Sequence, residues 1–444
     1  MPQYLGDTQS RDFHIARAIL KSPAANLDLD VASIISEINV YEHIDKPYIT
    51  GTILLVDTGG LFDGVNFQGG EVFELELTRS VESELKPVTK TFIVDSIVSG
   101  AKINESTEVY TLHITEDIGF TANLININKT ITGQPYEIIE EIADEFLEKK
   151  VDSVVQDNVQ SSMKVIVPNM NPIETMIWVK NRSYNQNGFP FYLYSCFAKP
   201  ELQFRDLESI IASPTVNDTS PFIYITEPSD TTSRLFQIHE YRYQDAENIA
   251  KIIKRGVVGG THSYYSVFDM SYKSINFNAH NDMFNQALSL SKRQTIPNLS
   301  RAMKHKDQTL TDFNAVNYSS ITDGRVFTDI KSYTQDKTEA EYKRRIVAAS
   351  VKSFMTKQPM EITVDGREFL NGEYNFTIGN NIKIIFKPNY DPGDTTPKVD
   401  VKKSGDYTIF AARHVFQDNK YFVQLLCGKI GNYNSDNYPE GTPS

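Results

Sequence analysis

Near opposite ends of a 444-residue chain the same order of extended segments occurs twice, and this repetition constrains the fold more than any single motif. The first copy runs through Val72–Thr78, a polar loop, Thr91–Val98, a short polar turn and Val109–Ile114. The second runs through Ile382–Lys387, a polar loop, Asp406–Phe416, the turn Gln417-Asp418-Asn419-Lys420 and Tyr421–Leu426. Hairpins resemble one another, so similarity of one hairpin means little. Agreement in the order of three strands and two loops points to duplication, hence to pseudo-symmetry within one subunit.

The individual segments read as strands because side chains of opposite character alternate with period two. In Val72–Thr78, Phe73, Leu75 and Leu77 face one way and Glu74 and Glu76 the other. Leu27, Leu29 and Val31 alternate with Asp28 and Asp30, and the period continues through Ile34, Ser36, Ile38 and Val40. Tyr48–Val56 is rich in β-branched residues and ends at Gly59-Gly60. With 25 Phe and 23 Tyr against one Trp, aromatic usage also suits pleated, half-buried surfaces. At about 150 residues per domain, the length suggests roughly three domains.

The pattern changes after Ile118. Pro135 can open a helix running to about Lys150, with Ile138, Ile139, Ile142 and Phe146 on one arc and six acidic residues on the other. A second helix is expected to open at Asn171-Pro172, before strands Phe189–Phe197 and Leu202–Leu207. Further strands are expected at Phe222–Thr226, Arg234–Tyr243, His262–Phe277, Met360–Val364 and Asn381–Lys387, with a short helix at Ala246–Lys254. The expected fold class is therefore α+β, predominantly β: two similar tube-like β-barrel domains, an α+β module between them and a small insertion. The expected division is 1–118 for the first barrel, 119–215 for the module, 216–277 and 346–430 for a discontinuous second barrel, 278–345 for the polar insertion and 431–444 for an extended tail.

Charge and chemistry narrow the function. The net charge is −13, and residues 1–118 alone carry 8 basic and 19 acidic side chains. Such a balance disfavours a phosphate-gripping protein and fits a surface that repels nucleic acid moving past it. No apolar run approaches the roughly 18 residues of a membrane helix, and the start of the chain has no secretory signal pattern. The two cysteines, Cys196 and Cys427, sit in apolar runs and read as buried small hydrophobes in a protein made in the cytosol.

No catalytic, cofactor or metal site can be selected. There is no phosphate-binding glycine loop, no dinucleotide fingerprint and no nucleophile elbow. His239-Glu240 begins like a zinc-protease helix, but Tyr243 stands where the second histidine belongs. Lys343-Arg344-Arg345 is a short basic cluster without a stacking platform.

Several stretches carry a family resemblance. Ile35-Ser36-Glu37-Ile38-Asn39-Val40-Tyr41-Glu42-His43-Ile44, with Pro47–Ile53, Val56-Asp57 and the Gly70-Glu71 step, resembles the opening of the central baseplate hub subunit of T-even-type contractile phages. Ser404-Gly405, Tyr407, Ile409, His414, Phe416 and Tyr421 resemble the closing strands of the wider hub family, which includes tail protein D and the hub part of type VI secretion spikes. Gly133-Gln134-Pro135-Tyr136 with its helix, then a second helix and strands, is similar to the module between that family's barrels. The region 278–345 matches nothing.

The resemblance implies a non-enzymatic, late-expressed virion protein of the tail baseplate, made in the host cytoplasm. It implies a homotrimer that adapts a sixfold tail tube to a threefold spike, with viral DNA passing through without specific binding. Implied partners are a separate spike or tail-lysozyme protein, a tail-tube or tube-initiator protein, a tape-measure protein and baseplate wedge proteins. Glu74 and Glu76 are the expected lumen-facing acids. The rival readings are a tube or tube-initiator protein, which would need one barrel, and a tail peptidoglycan hydrolase, which would need a carboxylate or metal cleft.

Overall fold

In the computed structural model most of the period-two segments pair into one long, mainly antiparallel sheet. The structure describes residues 12–432 apart from 23–25, 61–66, 81–83, 105–106, 155–162, 226–235, 244–248, 267–269, 283–303, 310–316, 323–334, 356–358, 371–375, 388–398 and single positions at 68, 186, 257, 271, 280 and 306. The expected tail beyond 432 lies outside the described residues.

The N-terminal strands are β1 (His14–Ser22), β2 (Leu27–Asp30), β3 (Ile35–His43), β4 (Thr50–Asp57), β5 (Val72–Thr78), β6 (Val88–Asn104) and β7 (Thr107–Glu116). The module comes next, with α1 (Asp117–Thr121), β8 (Thr130–Gly133), α2 (Pro135–Leu147), β9 (Val151–Val154), β10 (Met163–Ile166), α3 (Pro172–Lys180), β11 (Phe191–Ser195), β12 (Leu202–Asp206) and α4 (Leu207–Ala212). Then come β13 (Phe222–Ile225), β14 (Ile238–Tyr243), α5 (Ile249–Lys254), β15 (Gly259–Ser266), β16 (Tyr272–Asn278), β17 (Lys304–His305), β18 (Gln308–Thr309), β19 (Asn317–Thr322) and α6 (Gln335–Met355). The last elements are β20 (Pro359–Asp365), β21 (Asn381–Lys387), β22 (Gly405–Gln417) and β23 (Lys420–Asn432).

The main sheet has 13 strands in the order β14-β20-β23-β22-β3-β4-β7-β6-β5-β1-β2, with β21 beside β22 and β13 beside β21. Alternation sets its faces. In β5, Phe73, Leu75 and Leu77 are buried while Glu74 and Glu76 stay at the surface; each buried side chain contributes about 1.5–3 kcal/mol. The core continues through Ile38, Val40, Ile53, Leu112, Tyr407, Ile409, Val423 and Leu425, so both halves of the sheet share one apolar interior.

The module has its own core of Ile138, Ile139, Ile142, Met176, Val179 and Phe204. Glu137 Oε2 accepts the Gln134 backbone N–H at 2.8 Å and fixes the start of α2. Asn171 Oδ1 accepts the Glu174 N–H at 2.7 Å and does the same for α3. The acidic arc of α2 faces solvent, with Lys129 Nζ 2.8 Å from Glu141 and also bonded to Glu145.

Several elements differ from the sequence reading, and three of them bear on the core or on the expected boundaries. Strand β1 is absent from that reading. Its buried face is Ala18, Leu20 and Ser22, and a bulge between Ile15 and Arg17 interrupts the period. His262–Phe277 is a hairpin, β15 against β16, whose second neighbour is the parallel β19. Helix α6 spans 21 residues and crosses position 345. Its later part presents an apolar face, with Val347, Val351, Phe354 and Met355 buried.

Candidate functional site: a repeated strand path and its seam

The register of the long sheet aligns the two copies of the internal repeat, with Val98 an extra residue at a bulge of β6 that β22 lacks. In the first half the hydrogen-bonded order is β3-β4-β7-β6-β5; in the second it is β14-β20-β23-β22-β21, antiparallel at every step. A bulge falls between Ile35 and Glu37 on β3 and, at the matching place, between Ile238 and Glu240 on β14. Another falls between Val94 and Ser96 on β6 and between Ile409 and Ala411 on β22. Bulges are specific features of a strand, so matched ones carry weight.

The sharpest correspondence is a pair of glycines. Gly70 has φ +86° and donates its N–H to the Val94 carbonyl at 2.8 Å, while Val94 N–H donates to the Glu71 carbonyl at 2.8 Å. Gly379 has φ +80° and donates to the Ile409 carbonyl at 2.8 Å, while Ile409 N–H donates to the Asn380 carbonyl at 3.0 Å. Both glycines adopt a left-handed conformation that side chains disfavour.

The two copies are joined where β22 meets β3. The first part of β22 pairs with β21, and Ala411–Gln417 pairs antiparallel with Glu37–His43. On the core side of this seam Glu42, His414 and Tyr421 are nearly completely buried. Glu42 Oε1 lies 3.1 Å from His414 Nε2, and Glu42 Oε2 accepts the Phe197 N–H at 2.7 Å. His414 Nδ1 is 2.7 Å from the Tyr421 hydroxyl. A carboxylate only accepts, so Nε2 carries the proton, and in the neutral ring Tyr421 donates to Nδ1. Burial pushes the Tyr421 hydroxyl well above its ordinary pKa, which keeps that proton in place. The network ties both strand copies to the module.

Two further clusters anchor the module. Lys90 Nζ is 3.1 Å from Glu116 Oε1 and 2.9 Å from the Lys199 carbonyl, and Glu116 Oε2 accepts the Ile49 N–H at 3.1 Å. Asp45 lies 3.1 Å from Lys180 on α3 and 2.5 Å from Lys352 on α6. Burial works to raise the Asp45 carboxyl, but the two lysines outweigh it and hold it below its usual value.

The face of the sheet away from the core is polar. Arg413 donates to Asn39 Oδ1 at 2.9 and 3.1 Å and lies over the Tyr41 ring; Asn39 in turn donates to Glu37 at 2.6 Å. Arg242 is 3.9 Å from Glu361. A groove of ≈ 590 Å³ crosses the seam on this face, lined by Tyr41, Arg413, Gln424, Thr363, Arg242 and Glu361.

The acids singled out from sequence sit on β5, at the surface, on the side opposite Phe73 and Leu75. Glu74 is bound by Arg17 at 2.6 Å and Lys21 at 2.5 Å, both on β1, and its bond from Lys21 holds its carboxyl below the usual range. Glu76 shares that face, and its register partner on β1 is Arg17. Lys343 from the basic cluster pairs with Asp282 at 2.7 Å. Cys196 and Cys427 are buried, and burial pushes the Cys196 thiol up to about 12. Among the described residues no group of three or more His, Cys, Asp or Glu side chains could hold a metal ion, and no helix is long and apolar enough to cross a membrane. Sequence reasoning missed the Glu42–His414–Tyr421 network, since a contact across 372 positions leaves no mark in a single sequence.

Solved structures share this architecture. The tail protein from Neisseria meningitidis MC58 is similar over 95% of this chain and 99% of its own, with 12% identity and a TM-score of 0.51. The 43 kDa tail protein of prophage MuSo2 from Shewanella oneidensis is similar over 93% and 98%, with 10% identity and a TM-score of 0.50. The chain has the fold of these two tail proteins. A component of the Escherichia coli type VI secretion system is more distant, at 7% identity and a TM-score of 0.38 over 96% of this chain and 78% of its own. No protein-family model and no curated protein sequence matches the chain.

Proposed function

We propose that this protein is a structural subunit of a phage-type tail, a trimeric hub that joins a sixfold tube to a threefold spike and surrounds a channel for DNA. The observation that carries this reading is the repeated path β3-β4-β7-β6-β5 and β14-β20-β23-β22-β21 within one chain. Two equivalent units per subunit make three subunits present six similar units around one axis, and the differences between the units keep the symmetry threefold elsewhere. The fold shared with two tail proteins supports the same reading. The spike or tail lysozyme, the tube or tube initiator, the tape-measure protein and the wedge proteins are the partners such a hub meets.

In this arrangement the channel wall is the polar face of the eight-strand path from β14 to β6. Its acids include Glu37, Glu240, Glu361 and Asp365, while Arg413 and Arg242 are engaged by Asn39 and Glu361. Among the described residues such a wall offers phosphates no array of free cations, as a conduit for DNA requires. Glu74 and Glu76 lie on β5, next to that path and on the face of the sheet away from the core, and their exposure to the lumen is part of the proposal. Electron micrographs of the purified protein, averaged end-on, test the proposal. A ring of six similar densities with threefold differences is the expected image; isolated single subunits at every concentration would overturn it.

A further inference from the structure

One buried ion pair is held in a geometry that suits a reaction. Lys90 on β6 and Glu116 at the end of β7 are diagonal neighbours, since the register partner of Glu116 is Phe92. Their side chains are 4% and 1% exposed, and Lys90 Nζ lies 3.1 Å from Glu116 Oε1. Nζ also donates to the Lys199 carbonyl at 2.9 Å, which fixes it from a second side. Glu116 is fixed as firmly: its N–H donates to the Ile49 carbonyl at 2.8 Å, and its Oε2 accepts the Ile49 N–H at 3.1 Å.

We infer that Lys90 and Glu116 condense spontaneously into an isopeptide bond. The reaction takes an ammonium and a carboxylate to an amide and one water, so it needs no oxidant, cofactor or second protein. Proton transfer along the 3.1 Å contact gives a neutral amine and a carboxylic acid, a change that removes two charges from a water-poor site. Nζ then attacks Glu116 Cδ, and negative charge gathers on Oε2, where the Ile49 N–H already donates. A second proton passes from Nζ to Oε1, the Cδ–Oε1 bond breaks, and Oε1 leaves as water. The ammonium of Lys149, 3.8 Å from Oε1, favours that departure.

Burial on both sides sets this pair apart. Lys180 and Lys383 are also buried, but their partners Asp45 and Asp218 are 26% and 48% exposed, and water at those carboxylates favours the ionised pair. The Lys90–Glu116 bond spans 26 positions and closes the open end of the β6–β7 hairpin, directly before α1 of the module. An amide, unlike an ion pair, persists when acid protonates carboxylates. One positive and one negative charge vanish together, so the net charge of −13 is unchanged. The inference is independent of the hub reading.

Tandem mass spectrometry of the purified protein, denatured and digested with trypsin, tests the bond. Cleavage at Lys102 separates the two residues. The peptides carrying Lys90 and Glu116 should nevertheless be found joined, one water lighter than their sum. The same peptides found only apart, at full mass, would overturn the inference, as would a water loss mapped to other residues. Lys90→Arg keeps the cation and removes the amine, and should leave the peptides apart; joined peptides in that variant would overturn the choice of nucleophile. Lys149→Met should join them about tenfold more slowly after synthesis, and an unchanged rate would remove Lys149 from the reaction. The unsubstituted protein decides the matter even where a variant fails to fold.

Discussion

At the scale of single residues, the two left-handed glycines separate what the repeat shares from what each copy adds. An alanine in either place incurs the left-handed penalty of about 1–2 kcal/mol. At Gly70 an added Cβ meets nothing within 4 Å, whereas at Gly379 it would lie 2.1 Å from the Tyr194 hydroxyl oxygen. Gly379→Ala should therefore lose about 1–3 kcal/mol more than Gly70→Ala, as overpacking does. Urea midpoints measure the difference, and equal losses would mean that Tyr194 yields freely. The Gly70-Glu71 step is legible in the sequence because it stands before a clear alternation. Gly379 is not, since its equivalence shows only through the register of β21 and β22.

At the scale of elements, stability concentrates where strands from distant parts of the chain are cross-tied. Glu42→Leu removes the acceptor for both His414 Nε2–H and Phe197 N–H, leaving buried donors unsatisfied. The loss should be about 3 kcal/mol or more, because hydrogen bonds to charged groups and orphaned buried donors are both expensive. Glu42→Gln keeps a carbonyl acceptor and should lose less. Denaturation midpoints that fall equally for the two variants would contradict the role given to the carboxylate. Strands with large apolar residues in strict alternation, such as β4 and β5, can be read from the sequence to within a few residues. Strand β1 cannot, because Ala18 and Ser22 on its buried face give almost no contrast. The charged stretch that opens α6 likewise hides a helix whose later residues are held by the core.

At the scale of the whole molecule, the duplicated architecture is legible as an order of segments, but the joint between the copies is not. Nothing in Glu37–His43 or Ala411–Gln417 announces that these two strands lie side by side, since a strand's own residues do not name the strand they pair with. That joint turns two similar units into one continuous sheet, and the proposed ring rests on it. The mass of the purified protein in solution, measured by light scattering across a range of concentrations, decides whether the ring forms. The proposed trimer gives a species of three times 50.3 kDa, the predicted result. A single species of 50.3 kDa at all concentrations would contradict it, and six copies would point instead to a tube component.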